Sequence, residues 1–172
     1  MDSAFLANSR VLSAAPKTAS VICGGNFRAR GMYIRNDKSK QYYTIFDEYE
    51  LYMNNLELDT VYLKYVSHTT QPDLIIQYNV LGGGTGVSER VTWIAVVDYT
   101  EMKMIFNKAV AEEDEFHGPD DTDGRNGTYN LYGFKPVYNV GEIDLNDAAC
   151  NGCEVRPTQI YLQKGDCFIR KR

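Results

Sequence analysis

The sequence predicts an all-β protein of antiparallel strands, and three observations predict it. Apolar and polar residues alternate with a period of two in segment after segment. Turn-forming residues break these segments every 8–12 residues or so, the spacing of sandwiches and barrels. Thirteen of the 172 residues are tyrosine, beside seven phenylalanines and a single tryptophan, a composition that suits strands and amphipathic walls.

Taken in order, Met32-Tyr33-Ile34 after Gly31 opens the pattern, and Tyr42 to Leu51 (YYTIFDEYEL) is rich in aromatic and β-branched residues. Thr60 to His68 alternates, with Val61, Leu63 and Tyr65 on one face and Tyr62, Lys64 and Val66 on the other. Leu74 to Leu81 runs into Gly82-Gly83-Gly84-Thr85-Gly86, which reads as a hairpin tip. Val91 to Val97, Met102 to Phe106, Tyr129 to Phe134 and Gln159 to Leu162 complete the expected strands. Helix is expected in one place, Ile143 to Ala149, where Asp144, Asn146 and Asp147 alternate with Ile143, Leu145 and Ala148. Glu142 and Asp144 near its start suit the positive end of a helix dipole. Ala109 to Glu115 reads as a helical turn or loop. Glu112 to Gly127, with seven acidic residues, Pro119 and three glycines, reads as a long exposed loop. No repeat or linker divides the chain, so residues 1–172 are expected to form one domain.

Hydrophobic residues at 44% and charged residues at 24% exclude a disordered chain. A net charge of −5 argues against nucleic acid as the main partner, because phosphate binding needs a clustered basic surface. The one basic cluster, Arg170, Lys171 and Arg172, is expected to be solvated. No stretch reaches the roughly 20 apolar residues of a membrane helix. Met1 to Ala15 lacks an early positive charge and is interrupted by Asn8, Ser9 and Arg10, so it does not read as a signal peptide.

Four cysteines, Cys23, Cys150, Cys153 and Cys167, permit two disulfides in three connectivities. The Cys150–Cys153 CxxC lies in no βαβ context that would make it a redox motif, and no second CxxC completes a zinc site. Structural disulfides in an oxidising compartment, hence a secreted protein, are the expectation. The sequon Asn126-Gly127-Thr128 is compatible with it.

Thr92 to Phe106 (TWIAVVDYTEMKMIF) resembles the second signature of the lipocalin family: an aromatic–apolar strand, a T-D-Y turn, and a strand ending on an aromatic residue. Asp98 and Tyr99 match, and Val97 stands where the family has threonine. Cys23, followed by Phe27, Arg28 and Gly31, is similar to the family's second strand, and Gln163 to Cys167 to its C-terminal segment ending in a bridging cysteine. The G-x-W of the first signature is absent, since the only tryptophan is Trp93, and Lys135 stands where the third signature has arginine. In the family that arginine packs on the tryptophan, so the two losses go together and suggest an outlier; the order of parts also resembles that of arthropod lipocalins, tick salivary ones included. The resemblance implies an eight-stranded antiparallel up-and-down barrel with a short C-terminal helix, holding one small, mostly apolar ligand. It also implies a Cys23–Cys167 bridge, with Cys150 and Cys153 bonded to each other or free.

The family's pattern makes Thr92, Ile94, Lys103, Ile105, Tyr129 and Leu131 inward-facing and ligand-lining. Periodicity adds Tyr43, Ile45 and either the Val61/Leu63/Tyr65 or the Tyr62/Lys64/Val66 set, and Leu63 is carried forward. A register slip of one residue reverses every such list. Lys103 inside the barrel would pair with a ligand carboxylate; outside it is a solvated cation. Asp47, Glu48 and Glu50 would instead meet a cationic amine among tyrosine rings. No metal, cofactor or catalytic residue is expected: His68 and His117 form no ligand or triad spacing, and Asp121 to Gly124 lacks the ends of a calcium loop. The glycine cluster lacks the Lys-Ser/Thr of a phosphate loop.

The expected function is therefore non-enzymatic carriage or sequestration of a small hydrophobic or amphipathic molecule, such as a fatty acid, a pigment or a biogenic amine. The alternative is a ligandless β-barrel or sandwich acting through protein contacts, as a secreted host-binding factor or a virion subunit. Exposed tyrosines would favour the second and a tyrosine-lined cavity the first.

Overall fold

The computed structural model describes residues 9–13, 19–26, 29–36, 40–48, 55–84, 86–116, 127–148, 153 and 155–172. Among them are twelve strands and no helix. A four-stranded sheet holds β1 (Ser9–Ser13), β2 (Ala19–Asn26), β3 (Ala29–Asn36) and β4 (Tyr42–Glu48). An eight-stranded sheet holds β5 (Asn55–Lys64), β6 (Asp73–Gly84), β7 (Val87–Asp98), β8 (Lys103–Phe116), β9 (Gly127–Asn139), β10 (Glu142–Asp147), β11 (Gln159–Lys164) and β12 (Cys167–Arg170). Neighbours in each sheet are consecutive in sequence and antiparallel, so both sheets are meanders.

The expected antiparallel all-β class is what the chain adopts; the closed eight-stranded barrel is not found among the described residues. The reason lies in β6 and β7. Leu74, Ile75 and Ile76, and Ala95, Val96 and Val97, are consecutive buried residues, so these strands are apolar on both faces and must be covered from both sides. On one face Leu74, Ile76, Tyr78, Ala95 and Val97 pack with Leu58 of β5, Met102, and Met32 and Ile34 of β3. The four-stranded sheet thus covers that side. On the other face Ile75, Ile94 and Val96 pack with Val66, Ile105, Phe106, Val110, Phe134, Tyr138, Ile143, Leu145, Tyr161 and Phe168. Each fully buried aliphatic side chain in these clusters contributes about 1.5–3 kcal/mol.

The second cluster is enclosed because the long sheet curls. Register shifts at Leu58/Thr60, Thr92/Trp93, Val96/Val97 and Glu112/Glu113 add local twist. Strand β9 pairs with β8 only over residues 127–133, then leaves it to pair with β10. The first half of β8 faces β12 instead: Phe106 meets Phe168 edge-on at 6.1 Å between ring centroids and Tyr161 at 5.0 Å. At the other edge, the Gly141 amide donates to the Val66 carbonyl at 2.7 Å, tying the end of β5 to the β9–β10 turn.

Four further expectations are corrected. Ile143 to Ala149 is not a helix: Glu142–Asp147 is strand β10, paired on both sides, with Ile143 and Leu145 turned into the core at a period of two. Ala109 to Glu115 is strand, as β8 runs on to Phe116 and stays paired with β7 throughout. The acidic segment is therefore strand up to Phe116 and again from Gly127, and residues 117–126 lie outside the described residues. Finally, Cys167 is a free, exposed thiol on an edge strand, so it forms no bridge with Cys23. Cys153 is disulfide-bonded to a cysteine beyond the described side chains. Cys150 lies outside the described residues, as does the side chain of Cys23.

The glycine cluster forms the β6–β7 hairpin tip as expected. Gly83 has φ +142° there, and a Cβ on it would run into the Val87 carbonyl oxygen, so only glycine fits.

Candidate functional site

The residues nominated as ligand-lining do not converge on one place. Ile94 and Ile105 are buried in the cluster enclosed by the curl. Tyr43 and Leu63 are half-buried against the other cluster, across the β6–β7 layer, in the seam between the two sheets. Thr92 is half-buried and donates its hydroxyl to Asn79 Oδ1 at 2.8 Å, a cross-strand pair within the hairpin. Leu131 is exposed on β9. The side chains of Ile45 and Tyr129 lie outside the described ones, as do those of Asp47, Glu48 and Glu50.

Lys103 faces solvent. Met102 sits in the β7–β8 turn at φ +54° with its side chain buried, so Lys103 opens β8 on the outside. Its Nζ lies 2.7 Å from Asp166 Oδ2 in the β11–β12 turn, clipping β12 to β8. That bond holds the Asp166 carboxyl below its ordinary range and the Lys103 amine above its own. Both side chains are open to water, so the pair is a weak one. Asp98, the acid of the VDY segment, accepts from the amides of Thr100 and Glu101, which turns the chain into β8.

Residues 61–64 keep the expected alternation, but the strand ends at Lys64 and Tyr65 does not join Val61 and Leu63. Val61 and Leu63 pack towards the seam and Val66 into the enclosed cluster. Tyr62 and Lys64 share the Val66 side and meet Tyr138 of β9, whose hydroxyl bonds to that of Tyr62, with Lys64 Nζ 5.5 Å from its ring centroid. Burial raises both phenols. Tyr65, 55% exposed, and Val140, 56% exposed, each stand one residue from the Val66–Gly141 backbone bond, giving this end of the sheet an aromatic and apolar surface.

Sequence reading did not single out the group that organises this end. Asp73, 1% exposed, accepts from the amides of Val66 and Ser67 at 3.0 and 2.6 Å and from the Ser67 hydroxyl at 2.8 Å. The signal was an aspartate opening a strand after a Ser/Thr-rich loop with Pro72, a pattern that closes on backbone amides. Also unforeseen was the Tyr78 hydroxyl bonded to Asn107 Oδ1 at 3.0 Å, its phenol pushed up to about 12 by burial. His68 packs on Gly141, and its amide donates to Gln163 Oε1 at 2.8 Å. Among the described residues no three His, Cys, Asp or Glu side chains gather as metal ligands. Among the same residues no helix is long and apolar enough to cross a membrane.

No protein-family model, no curated protein and no solved structure matches this chain.

Proposed function

We propose that the protein acts through its outer surface, as a non-catalytic β-sheet module that binds other proteins. The observation that carries this reading is the division of the nominated lining residues: Ile94 and Ile105 belong to one packed cluster and Tyr43 and Leu63 to the other, with the β6–β7 layer between them. A carrier concentrates its apolar lining around one hollow. Here the apolar residues serve two cores on opposite faces of one sheet, and Tyr42, Tyr62, Tyr65, Val140 and Ile169 are left at the surface, where tyrosine and aliphatic side chains anchor partners.

A second reading, carriage of a small amphipathic molecule as the lipocalin resemblance implies, has one specific support. Tyr43, Leu63, Trp93 and Tyr99 are half-buried along the seam between the sheets, so a ligand prying the sheets apart would meet an aromatic wall. Secretion is proposed on the disulfide at Cys153, with the free thiol of Cys167 weighing against it.

Native mass spectrometry of the non-reduced chain, after challenge with fatty acids, retinoids and biogenic amines, separates the two readings. The surface reading expects the mass of the chain alone. A stoichiometric small-molecule adduct that Trp93→Ala abolishes would overturn it in favour of the seam.

A further inference from the structure

Charge is unevenly divided along this chain. Residues 155–172 carry five cations, Arg156, Lys164, Arg170, Lys171 and Arg172, and one acid, Asp166, whereas the residues before them carry 13 cations and 22 acids. A protein that is acidic as a whole thus collects positive charge on its last two strands and the segment leading into them. Arg170 closes β12, and the backbone stays paired beyond it, since the Lys171 amide donates to the Ile160 carbonyl of β11 at 2.7 Å. The cations therefore hang from an anchored segment, and Arg170, Lys171 and Arg172 line an open concavity of about 410 Å³.

These three charges are not neutralised by their surroundings. None of them enters an ion pair among the described residues, and Asp166, the acid of the β11–β12 turn, is spent on Lys103. The strands packed against β12 supply no acid: β11 has none, and β8 has only Lys103 and Lys108 as charged residues before Glu112. Asp144, opposite Ile160, lies a strand further away on β10. A carboxylate on Arg172 itself would offset one of the three charges and leave two in excess. Like charges set side by side repel one another, and a bound anion removes that repulsion.

Two planar guanidinium forks and one ammonium suit a tetrahedral oxyanion, which accepts from both forks at once. The concavity is larger than one such group, leaving room for the molecule that carries it. Nucleic acid fits less well, because binding of single strands draws on exposed rings on which bases stack, and the rings of β11 and β12, Tyr161 and Phe168, are buried. The acids on the rest of the chain also repel a long polyanion. We infer that Arg170, Lys171 and Arg172 form a binding site for a small sugar bearing a phosphate or sulfate ester, the oxyanion held between the guanidinium groups with the ammonium closing on it. This site stands apart from the protein-binding reading and from the seam, and depends on neither.

The test is titration calorimetry of the full chain at low salt with glucose 6-phosphate, glucose 6-sulfate, unmodified glucose and a short thymidine oligonucleotide. Saturable binding of one or both esters, none of glucose, and several-fold weakening at physiological salt are expected. The ester that binds more tightly names the source of the oxyanion. Arg170→Gln with Arg172→Gln is expected to weaken binding at least tenfold, and Lys171→Gln alone to weaken it less. All three side chains are exposed, so these changes leave the core untouched, and circular dichroism checks that the fold persists. Lys40→Gln, an equal loss of charge on the other sheet's β3–β4 connection, is expected to leave binding unchanged. No saturable heat with either ester, equal heat with glucose, or an equal loss from Lys40→Gln would overturn the proposal. So would an oligonucleotide that binds more tightly than both esters at the same salt, since that would make nucleic acid the ligand.

Discussion

Replacing Asp73 with alanine takes one carboxylate from a site that is 1% exposed and strands three donors: the amides of Val66 and Ser67 and the Ser67 hydroxyl. Val66 and Ser67 are themselves 0% and 2% exposed, so water does not reach the stranded groups without opening the loop. A buried unsatisfied donor costs about 1–3 kcal/mol, and partial rehydration of the vacated space returns some of it, so the loss is about 3–4 kcal/mol in total. Against a domain stability of about 5–15 kcal/mol this is a large fraction. With a urea slope of about 1–3 kcal/mol per molar, the midpoint falls by more than about 1 M. Asparagine at position 73 keeps an oxygen facing both amides and turns its own N–H towards the serine hydroxyl, so Asp73→Asn should cost only about 1–2 kcal/mol for the lost charge. Equilibrium urea unfolding of both variants is the assay. Hydrogen exchange at the Gly141 amide should quicken in Asp73→Ala, because the Val66 carbonyl that receives it is positioned by the same loop. A loss below about 1 kcal/mol for alanine, or equal losses for the two variants, would refute the reasoning.

Tyr78 ionises near 12 in the folded chain against 10.0 unfolded, so stability is fully present below pH 10 and falls as pH rises through 12. About 2–3 kcal/mol is lost there from this residue, with Tyr138 adding in the same direction. Tyrosinate absorbance and circular dichroism should therefore change together in one cooperative alkaline transition, and early titration of all tyrosines without unfolding would count against burial of these two. Gly141→Ala places a Cβ against the His68 ring at φ +79°, costing about 1–3 kcal/mol by thermal or urea unfolding. Adding His68→Ala should recover the steric part and leave the backbone part. Asp144→Val removes the unpaired buried oxygen and should raise stability by about 1 kcal/mol; a fall would mean the carboxylate is satisfied in solution. Maleimide under native conditions should modify Cys167 and spare Cys153 in peptide mapping.

What the sequence by itself determined was strand identity. Alternation, tyrosine content and glycine punctuation are local signals, and they located most of the strands and the Gly82–Gly86 hairpin tip because period two is written within a few residues. They also separated the two faces of β5 without saying which side each met. The short stretch Ile143–Leu145 was ambiguous at that range: two apolar residues flanked by acids suit a helix start as well as a strand, and only pairing with β9 and β11 on either side decided it. Layering was decided by the tertiary structure alone. The runs Leu74–Ile76 and Ala95–Val97 signal two-sided burial, yet nothing local says that β3 covers one side and the returning β8–β12 segment the other. Partners distant in sequence are equally invisible: Gln163 bonds to His68, Phe168 meets Phe106, and Asp166 meets Lys103 only because the sheet curls. Cys167 could be counted from the sequence but not paired, since pairing is a matter of where the chain returns. The buried, unpartnered Oδ1 of Asp144 has the same origin: it depends on the pairing of β10 on both sides, which sets Val137 and Ile160 beside that position.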